Sequence, residues 1–333
     1  MKPEIYANLH THSTHSDGVY TPAELVRVAK DEGYKAVVAT DHDTVTAYNE
    51  MREACEKEGL ETIFGCEFYA NCSQYVDCFL DYHLVGFHFN PNHSDMKEYL
   101  RKRSADMTDK TEYLFYRAQN EGKISKDITW QEICDYNKGV TWLCNDHVRE
   151  AMKAKGLVTD LEWNDIFMNA FAASYCRKIG VTSKYPIMEI ADLIAMIHDA
   201  GGIAVVAHPY DTVQLKTVPE LVKMGLDGIE VWHNSIIHRN YQKEALRLAL
   251  EYGLYVSGGS DHSGLCGGVY KFYDKPEQTV YWAEPCTLGT TKELFDEIKN
   301  TKLMDGRDAI IKSYMEEYPD AKIPDFSDFK KEN

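Results

Sequence analysis

The first residues in this 333-residue chain whose types and spacing suggest chemistry are Asn8-Leu9-His10-Thr11-His12-Ser13-Thr14-His15-Ser16-Asp17-Gly18. Side chains alternate faces along an extended strand, so His10 and His12 point the same way. The chain then turns at Asp17-Gly18. Two imidazoles at the end of a strand, with a carboxylate close behind, are the beginnings of a metal site. A lone His-x-His is more often a pair of partly exposed loop histidines. Recurrence downstream decides against that reading, because residues of the same kind return in Thr40-Asp41-His42-Asp43, Gly65-Cys66-Glu67, His83, Ala207-His208-Pro209 and Gly259-Ser260-Asp261-His262.

The elements that must position them follow from pattern. Thr21-Pro22-Ala23-Glu24 predicts a helix start, with Thr as N-cap, Pro in the first turn and Glu completing a capping box. Gly33 and Gly59 predict helix ends. Apolar runs of the kind buried on both faces occur at residues 36–39, 203–207 and 228–232. With 5–7, 61–64, 83–87 and 254–257 they make seven strand candidates, separated mainly by helices. Residues 90–184 read as helical and polar. The pattern predicts a closed, mostly parallel barrel with a helical insertion. Active sites of such barrels lie at the C-terminal ends of the strands. His10, His12, Asp17, His42, Glu67, His208, Asp261 and His262 fall just past those ends, while His83 opens its strand instead.

Composition narrows the class. Hydrophobic residues at 44% and charged residues at 27% are ordinary globular proportions. A net charge of −17 disfavours a general nucleic-acid binder, since phosphate backbones are held by surplus Lys and Arg. The nine cysteines lack a C-x-x-C pair, so free thiols are expected. No run reaches the ~18 apolar residues of a membrane span, and Met1-Lys2-Pro3-Glu4 does not open a signal peptide. A cytoplasmic protein is expected.

Together the motifs resemble the PHP (polymerase and histidinol phosphatase) family of metal-dependent phosphoesterases. The resemblance runs through H-x-H with D-G, T-D-H-D, G-x-E, the histidine of H-L-V-G-F, A-H-P and G-S-D-H, in family order over residues 5–268. It implies a distorted seven-stranded (β/α) TIM-like barrel formed by residues 1–95 and 185–290. It also implies a helical insertion at 96–184 serving as a substrate lid, followed by an extension at 291–333. Two or three divalent ions (Mn, Fe or Zn) are implied. His10, His12, Glu67 and Asp261 would hold the first, and Glu67 would bridge to a second completed by His83 and His208. Asp17, His42 and a histidine of the last motif would hold a third. That motif usually reads D-x-H, whereas Asp261 and His262 are adjacent here and Ser263 takes the usual histidine place. His262 is nevertheless the expected third-metal ligand, with Gly258, Gly259 and Gly264 allowing the turn it needs. Arg177 and His147, both in the insertion, and His233, after a barrel strand, are expected to contact substrate. Asp43 is the expected proton donor to the leaving group.

The expected reaction is attack by a metal-bridging hydroxide on a phosphate ester of a small molecule. Nucleotides, sugar phosphates, cyclic phosphates and histidinol phosphate are the candidates, with no stable nucleic-acid or membrane partner. Two other classes compete: an exonuclease acting on nucleic acid, and a non-catalytic metal-binding protein.

Overall fold

A computed structural model describes residues 2–73, 82–209, 212–261, 269–270, 280–281 and 287–321. The fold is mixed α/β. Its first half contains β1 (Ile5–Thr11), α1 (Pro22–Asp31), β2 (Ala36–Ala39), α2 (Tyr48–Glu58), β3 (Gly65–Ala70) and β4 (Tyr82–Phe87). Five helices follow without an intervening strand: α3 (Ser94–Asn120), α4 (Trp130–Tyr136), α5 (Asn145–Ala154), α6 (Asp160–Ala170) and α7 (Ala173–Lys178). Alternation then resumes with α8 (Ile190–Asp199), β5 (Ile203–Val206), α9 (Thr212–Lys223), β6 (Gly228–His233), α10 (Asn234–His238), α11 (Gln242–Tyr252) and β7 (Tyr255–Gly259). The short strands β8 (Val269–Tyr270), β9 (Val280–Tyr281) and β10 (Thr290–Thr291) precede α12 (Lys292–Asn300) and α13 (Arg307–Met315).

Local chemistry explains many of these boundaries. Thr21 and Glu24 form the reciprocal capping box that starts α1. Gly59 closes α2 in the left-handed conformation at φ 75°. Two strands differ from their expected bounds. β1 continues through His10 to Thr11, while the candidate at 61–64 forms only an isolated bridge from Glu61 to Ala36, and the strand proper, β3, starts at Gly65 and carries Glu67 within it. The reason is pairing: β3 lies in continuous register with β4, from Gly65 opposite Phe87 to Ala70 opposite Tyr82.

Among the described residues the strands form a three-stranded sheet (β10-β1-β2), a five-stranded sheet (β3-β4-β5-β6-β7) and a two-stranded β8-β9 pair, rather than a single seven-stranded sheet. Within the expected, mostly parallel arrangement β4 is the departure, antiparallel to both β3 and β5. That reversal accounts for His83: the start of β4 lies at the same end as the C-termini of its neighbours. Alternate residues of both larger sheets share one interior cluster, with Leu9 and Val38 from one and Val85, Phe87 and Val205 from the other. The helices α3 to α7 bury a cluster of their own, including Phe115, Ile133, Val148, Trp163 and Cys176.

Hydrogen bonds stitch the two sheets together at the histidine end. The Glu67 N–H donates to Thr40 O and the Asp43 N–H to Glu67 O. Across the other seam, the Asp261 N–H donates to His10 O at 2.8 Å, and Asn8 Nδ2 donates to Ser260 Oγ at 2.9 Å. Gly258 and Gly259 permit this second approach by lacking side chains: a Cβ on Gly259 would overlap the backbone nitrogen and Cβ of His10, and one on Gly258 would overlap Gly289 O. Neither adopts a positive φ, so the turn expected of them occurs instead at Asp261 itself, at φ 50°. Gly264 lies outside the described residues. Gly259→Ala should therefore force β7 away from β1, costing about 1–3 kcal/mol as overpacking does and loosening the His10 environment. Chemical denaturation checks this, and unchanged stability would remove the close-packing role.

Candidate metal centre

Glu67 is completely buried, and imidazoles surround both oxygens of its carboxylate. Around Oε2 lie His10 Nε2 at 3.1 Å, His12 Nε2 at 3.2 Å and His42 Nδ1 at 3.1 Å. Around Oε1 lie His83 Nδ1 at 2.9 Å and His208 Nε2 at 3.0 Å. These residues come from five places in the chain. Strand alternation puts His10 and His12 on one side of the end of β1. His42 follows β2, His83 sits near the start of antiparallel β4, and His208 follows β5. Asp261, just beyond β7, adds Oδ1 at 3.0 Å from His12 Nε2 and 3.4 Å from His10 Nε2.

The spacing matches metal coordination. A tetrahedron with bonds of about 2.0–2.1 Å has edges of about 3.3–3.4 Å. The contacts linking His10, His12, Glu67 Oε2 and Asp261 Oδ1 span 3.0 to 3.4 Å. Glu67 Oε1, His83 Nδ1 and His208 Nε2 form a compact triangle, with 3.2 Å between the two nitrogens. Imidazole and carboxylate donors of this kind suit Mn, Fe or Zn. His10 Nε2 and Glu67 Oε2 are buried without a hydrogen bond, as donor atoms turned toward a cation would be.

The electrostatics favour the same reading. Burial opposes a charged His10, yet the carboxylates of Glu67, Glu230 and Asp261 hold its pKa well above the usual imidazole range. Burial likewise opposes ionised Glu67, but His10, His83 and His42 hold it well below the usual carboxylate range. Burial lowers His42 to about 4, with His12 and His83 adding to the effect, so it is neutral at ordinary pH. Burial likewise opposes charged His12 and His83, yet neighbouring carboxylates hold both above the usual imidazole range. A divalent cation would satisfy these buried carboxylates in place of the imidazole protons.

A third group is looser. Asp17 lies 3.6 Å from His12 Nδ1 and 3.9 Å from His42 Nε2. A neutral imidazole has a single lone-pair nitrogen, so His12 cannot serve this group while its Nε2 serves the first. His262, the ligand expected here, lies outside the described residues.

Several expected roles change. Asp43 is fully buried at φ 47°, and Arg103 Nε of α3 donates to its Oδ2 at 2.9 Å. Burial raises its pKa to about 6, against the pull of Arg103. Through Oδ2, Asp43 fastens α3 to the His42 loop, while its Oδ1 is buried without a hydrogen-bond partner. His147 is also committed elsewhere: Nδ1 accepts the Cys144 N–H at 2.9 Å, and Nε2 donates to Thr14 O at 3.0 Å. It clamps the start of α5 to the loop after His12 and has no ring nitrogen left for substrate. Arg177 is exposed on α7, and the structure does not bring it to the cluster. His233 does reach the cluster, with Nε2 3.4 Å from Asp261 Oδ2.

Pattern reading missed Glu230, which is completely buried and lies 3.0 Å from His10 Nδ1. The sequence held a clue, since a lone carboxylate inside the apolar run Gly228-Ile229-Glu230-Val231-Trp232 needs polar partners. It also missed Tyr69 and Trp142, whose rings lie 4.6 and 5.8 Å from that of His42. Tyr69 was accessible by alternation, being two residues beyond Glu67 on β3.

A family model for the PHP domain matches residues 8–161. A 5'-3' exoribonuclease of Haemophilus influenzae is 30% identical over 272 residues, covering 79% of this chain and 91% of that protein. The chain belongs to the PHP domain family. A 3',5'-nucleoside bisphosphate phosphatase of Chromobacterium violaceum is 26% identical over 262 residues, covering 76% of this PHP chain and 86% of that protein. A protein of Bifidobacterium adolescentis assigned as a metal-dependent phosphoesterase superposes on 92% of this chain and 99% of its own, with a TM-score of 0.67 at 26% identity.

Because Glu67 turns one oxygen toward each of two histidine groups, Glu67→Ala should empty both. Elemental analysis of protein loaded with Mn²⁺ should show more than one equivalent per chain in the wild type and a loss from both groups in the variant. Full occupancy without the carboxylate would contradict its shared role.

Proposed function

We propose that this PHP protein is a cytoplasmic, metal-dependent hydrolase of small phosphorylated molecules. That it is a phosphoesterase follows from its family and from the named activities of its relatives. The observation that carries the reading is the divided Glu67 carboxylate, with His10, His12, His42 and Asp261 on the Oε2 side and His83 and His208 on the Oε1 side. Divalent ions held there would supply Lewis acidity and an activated water for attack on phosphorus. The protein's own residues orient the ester and exclude bulk water.

His233 is suited to the first task. Its Nδ1 accepts the Ser235 N–H at 3.2 Å, so the neutral ring carries its proton on Nε2. That N–H faces Asp261, whose side chain is 30% exposed and marks the open side of the cluster. We assign His233 as a hydrogen-bond donor to a substrate oxygen.

Exclusion of water falls to the helical segment, which we assign as an insertion at 96–184 covering a distorted seven-stranded barrel. The stitches between β2 and β3 and between β1 and the end of β7 would close that barrel. Trp142 lies beside His42, while Cys144 and His147 bond to Ser16 O and Thr14 O. A covered centre in a protein of net charge −17 favours a compact ester over a long polynucleotide.

The exoribonuclease named among its relatives supports a second reading, in which the same centre trims RNA from its 5' end. Both readings are separated by assaying Mn²⁺-loaded protein on nucleoside monophosphates and 3',5'-bisphosphates, cyclic phosphates, sugar phosphates, histidinol phosphate and a 5'-phosphorylated oligoribonucleotide. We expect the highest kcat/KM on one of the small esters, with activity lost to a chelator and restored by Mn²⁺. Faster release of nucleotides from the oligoribonucleotide would establish the second reading.

A further inference from the structure

We propose that Glu230 is a positioning residue that selects which nitrogen of His10 faces the metal centre. The inference rests on the metal reading above and assigns a role to a residue that is not itself a ligand. Glu230 stands in the middle of β6 with no exposed surface, and both of its oxygens are used. Oε2 accepts the backbone N–H of His208 at 2.6 Å, and Oε1 lies 3.0 Å from His10 Nδ1.

A backbone N–H can only donate, and an ionised carboxylate can only accept. The short contact to Oε1 therefore requires the proton of His10 to sit on Nδ1. An imidazole that binds a cation keeps one N–H, and with that proton held on Nδ1 by Glu230 the nitrogen left to bind is Nε2. That nitrogen is the one placed 3.1 Å from Glu67 Oε2 and 3.4 Å from Asp261 Oδ1. Three positions along the same strand, His233 receives the opposite treatment. The Ser235 N–H takes its Nδ1 lone pair and leaves the proton on Nε2. Glu230 of β6 and Ser235 of α10 thus set two imidazoles in opposite senses, one presenting Nε2 to a cation and one presenting an Nε2–H. Through the His208 N–H, Glu230 also anchors the residue that carries an imidazole of the second group, at a backbone φ of 29°.

Glu230→Gln separates this role from simple space filling because the two side chains have the same shape. The amide oxygen is needed by the His208 N–H, so the amide NH₂ is turned toward His10 Nδ1. His10 must then accept at Nδ1 and move its proton to Nε2, removing a lone pair from the first group. Loss of an outer partner of a metal-binding histidine weakens metal binding by about 10–100-fold.

Two measurements on the full chain test this. Calorimetric titration of metal-free protein with Mn²⁺ should show the first group weakened about 10–100-fold in Glu230→Gln, with binding at the second retained. Nitrogen-15 spectra of histidine-labelled protein loaded with Zn²⁺, assigned by the resonances missing in His10→Asn, should show His10 bound through Nε2 with its proton on Nδ1 in the wild type, and that pattern lost in Glu230→Gln. Wild-type protein that binds neither Mn²⁺ nor Zn²⁺ would overturn the metal reading and this role of Glu230 with it. A wild type that binds metal while the variant keeps the same Mn²⁺ affinity, or His10 bound through Nδ1 in the wild type, would overturn the inference alone. Should Glu230→Gln fail to fold, the wild-type spectrum alone decides.

Discussion

A single buried carboxylate facing five imidazole nitrogens is the constraint around which this molecule is arranged. Glu67 cannot be moved to water, and its neighbours cannot all be protonated in an interior that penalises charge. A cation on each side of the carboxylate would resolve the conflict. The fold serves that outcome by delivering side chains from β1, β3, β4 and the segments after β2, β5 and β7 to one small volume. β4 does so only by running antiparallel to its neighbours, which puts His83 at the same end as the rest. Three residues of the centre, Asp43, His208 and Asp261, hold positive φ angles, a backbone cost that packing and hydrogen bonds must offset.

Around this core lies a shell of partners that bind no cation themselves. Glu230 holds His10 and the backbone of His208. Asp41 accepts from Ser13 N and Oγ and from Ser16 Oγ, shaping the loop that carries His12 and Asp17. Arg103 reaches from α3 to Asp43 and to the carbonyl of Tyr185, tying the helical segment to the loop after His42. Removing one member of such a buried pair leaves the other charge unpaired, which costs about 3–5 kcal/mol. The helices therefore share the rigidity of the centre through specific bonds, and the His147 clamp on Thr14 works in the same way.

Much of this was legible from spacing. His10, His12, His42, Glu67, His83, His208 and Asp261 were all identified from recurring motifs, and the structure gathers them. Capping chemistry placed the start of α1 and the end of α2. What spacing left open were properties set by long-range pairing. The direction of β4 depends on its hydrogen-bonding neighbours rather than on its own alternation, so its reversal among otherwise parallel strands was not legible. The position of β3, at Gly65–Ala70 rather than 61–64, likewise follows its partner strand. Side-chain roles were the least legible. Asp43 and His147 have residue types suited to proton transfer and substrate binding, but Arg103 engages one oxygen of the first, and the nearby Cys144 N–H and the distant Thr14 O engage the second. Arg177 drew attention by its position in the helical segment, and nothing local revealed which way α7 presents it. Glu230 was concealed by its setting, since an apolar strand reads as core until the buried carboxylate within it is asked for its partners.

The central claim is that Glu67 divides its two oxygens between two cations. Anomalous diffraction from crystals grown with Mn²⁺ tests it most directly. Two peaks about 3.5–4 Å apart are expected, one on Glu67 Oε2 with His10, His12 and Asp261, the other on Glu67 Oε1 with His83 and His208. A single ion bound on one side of the carboxylate, or ions held without Glu67, would contradict the account.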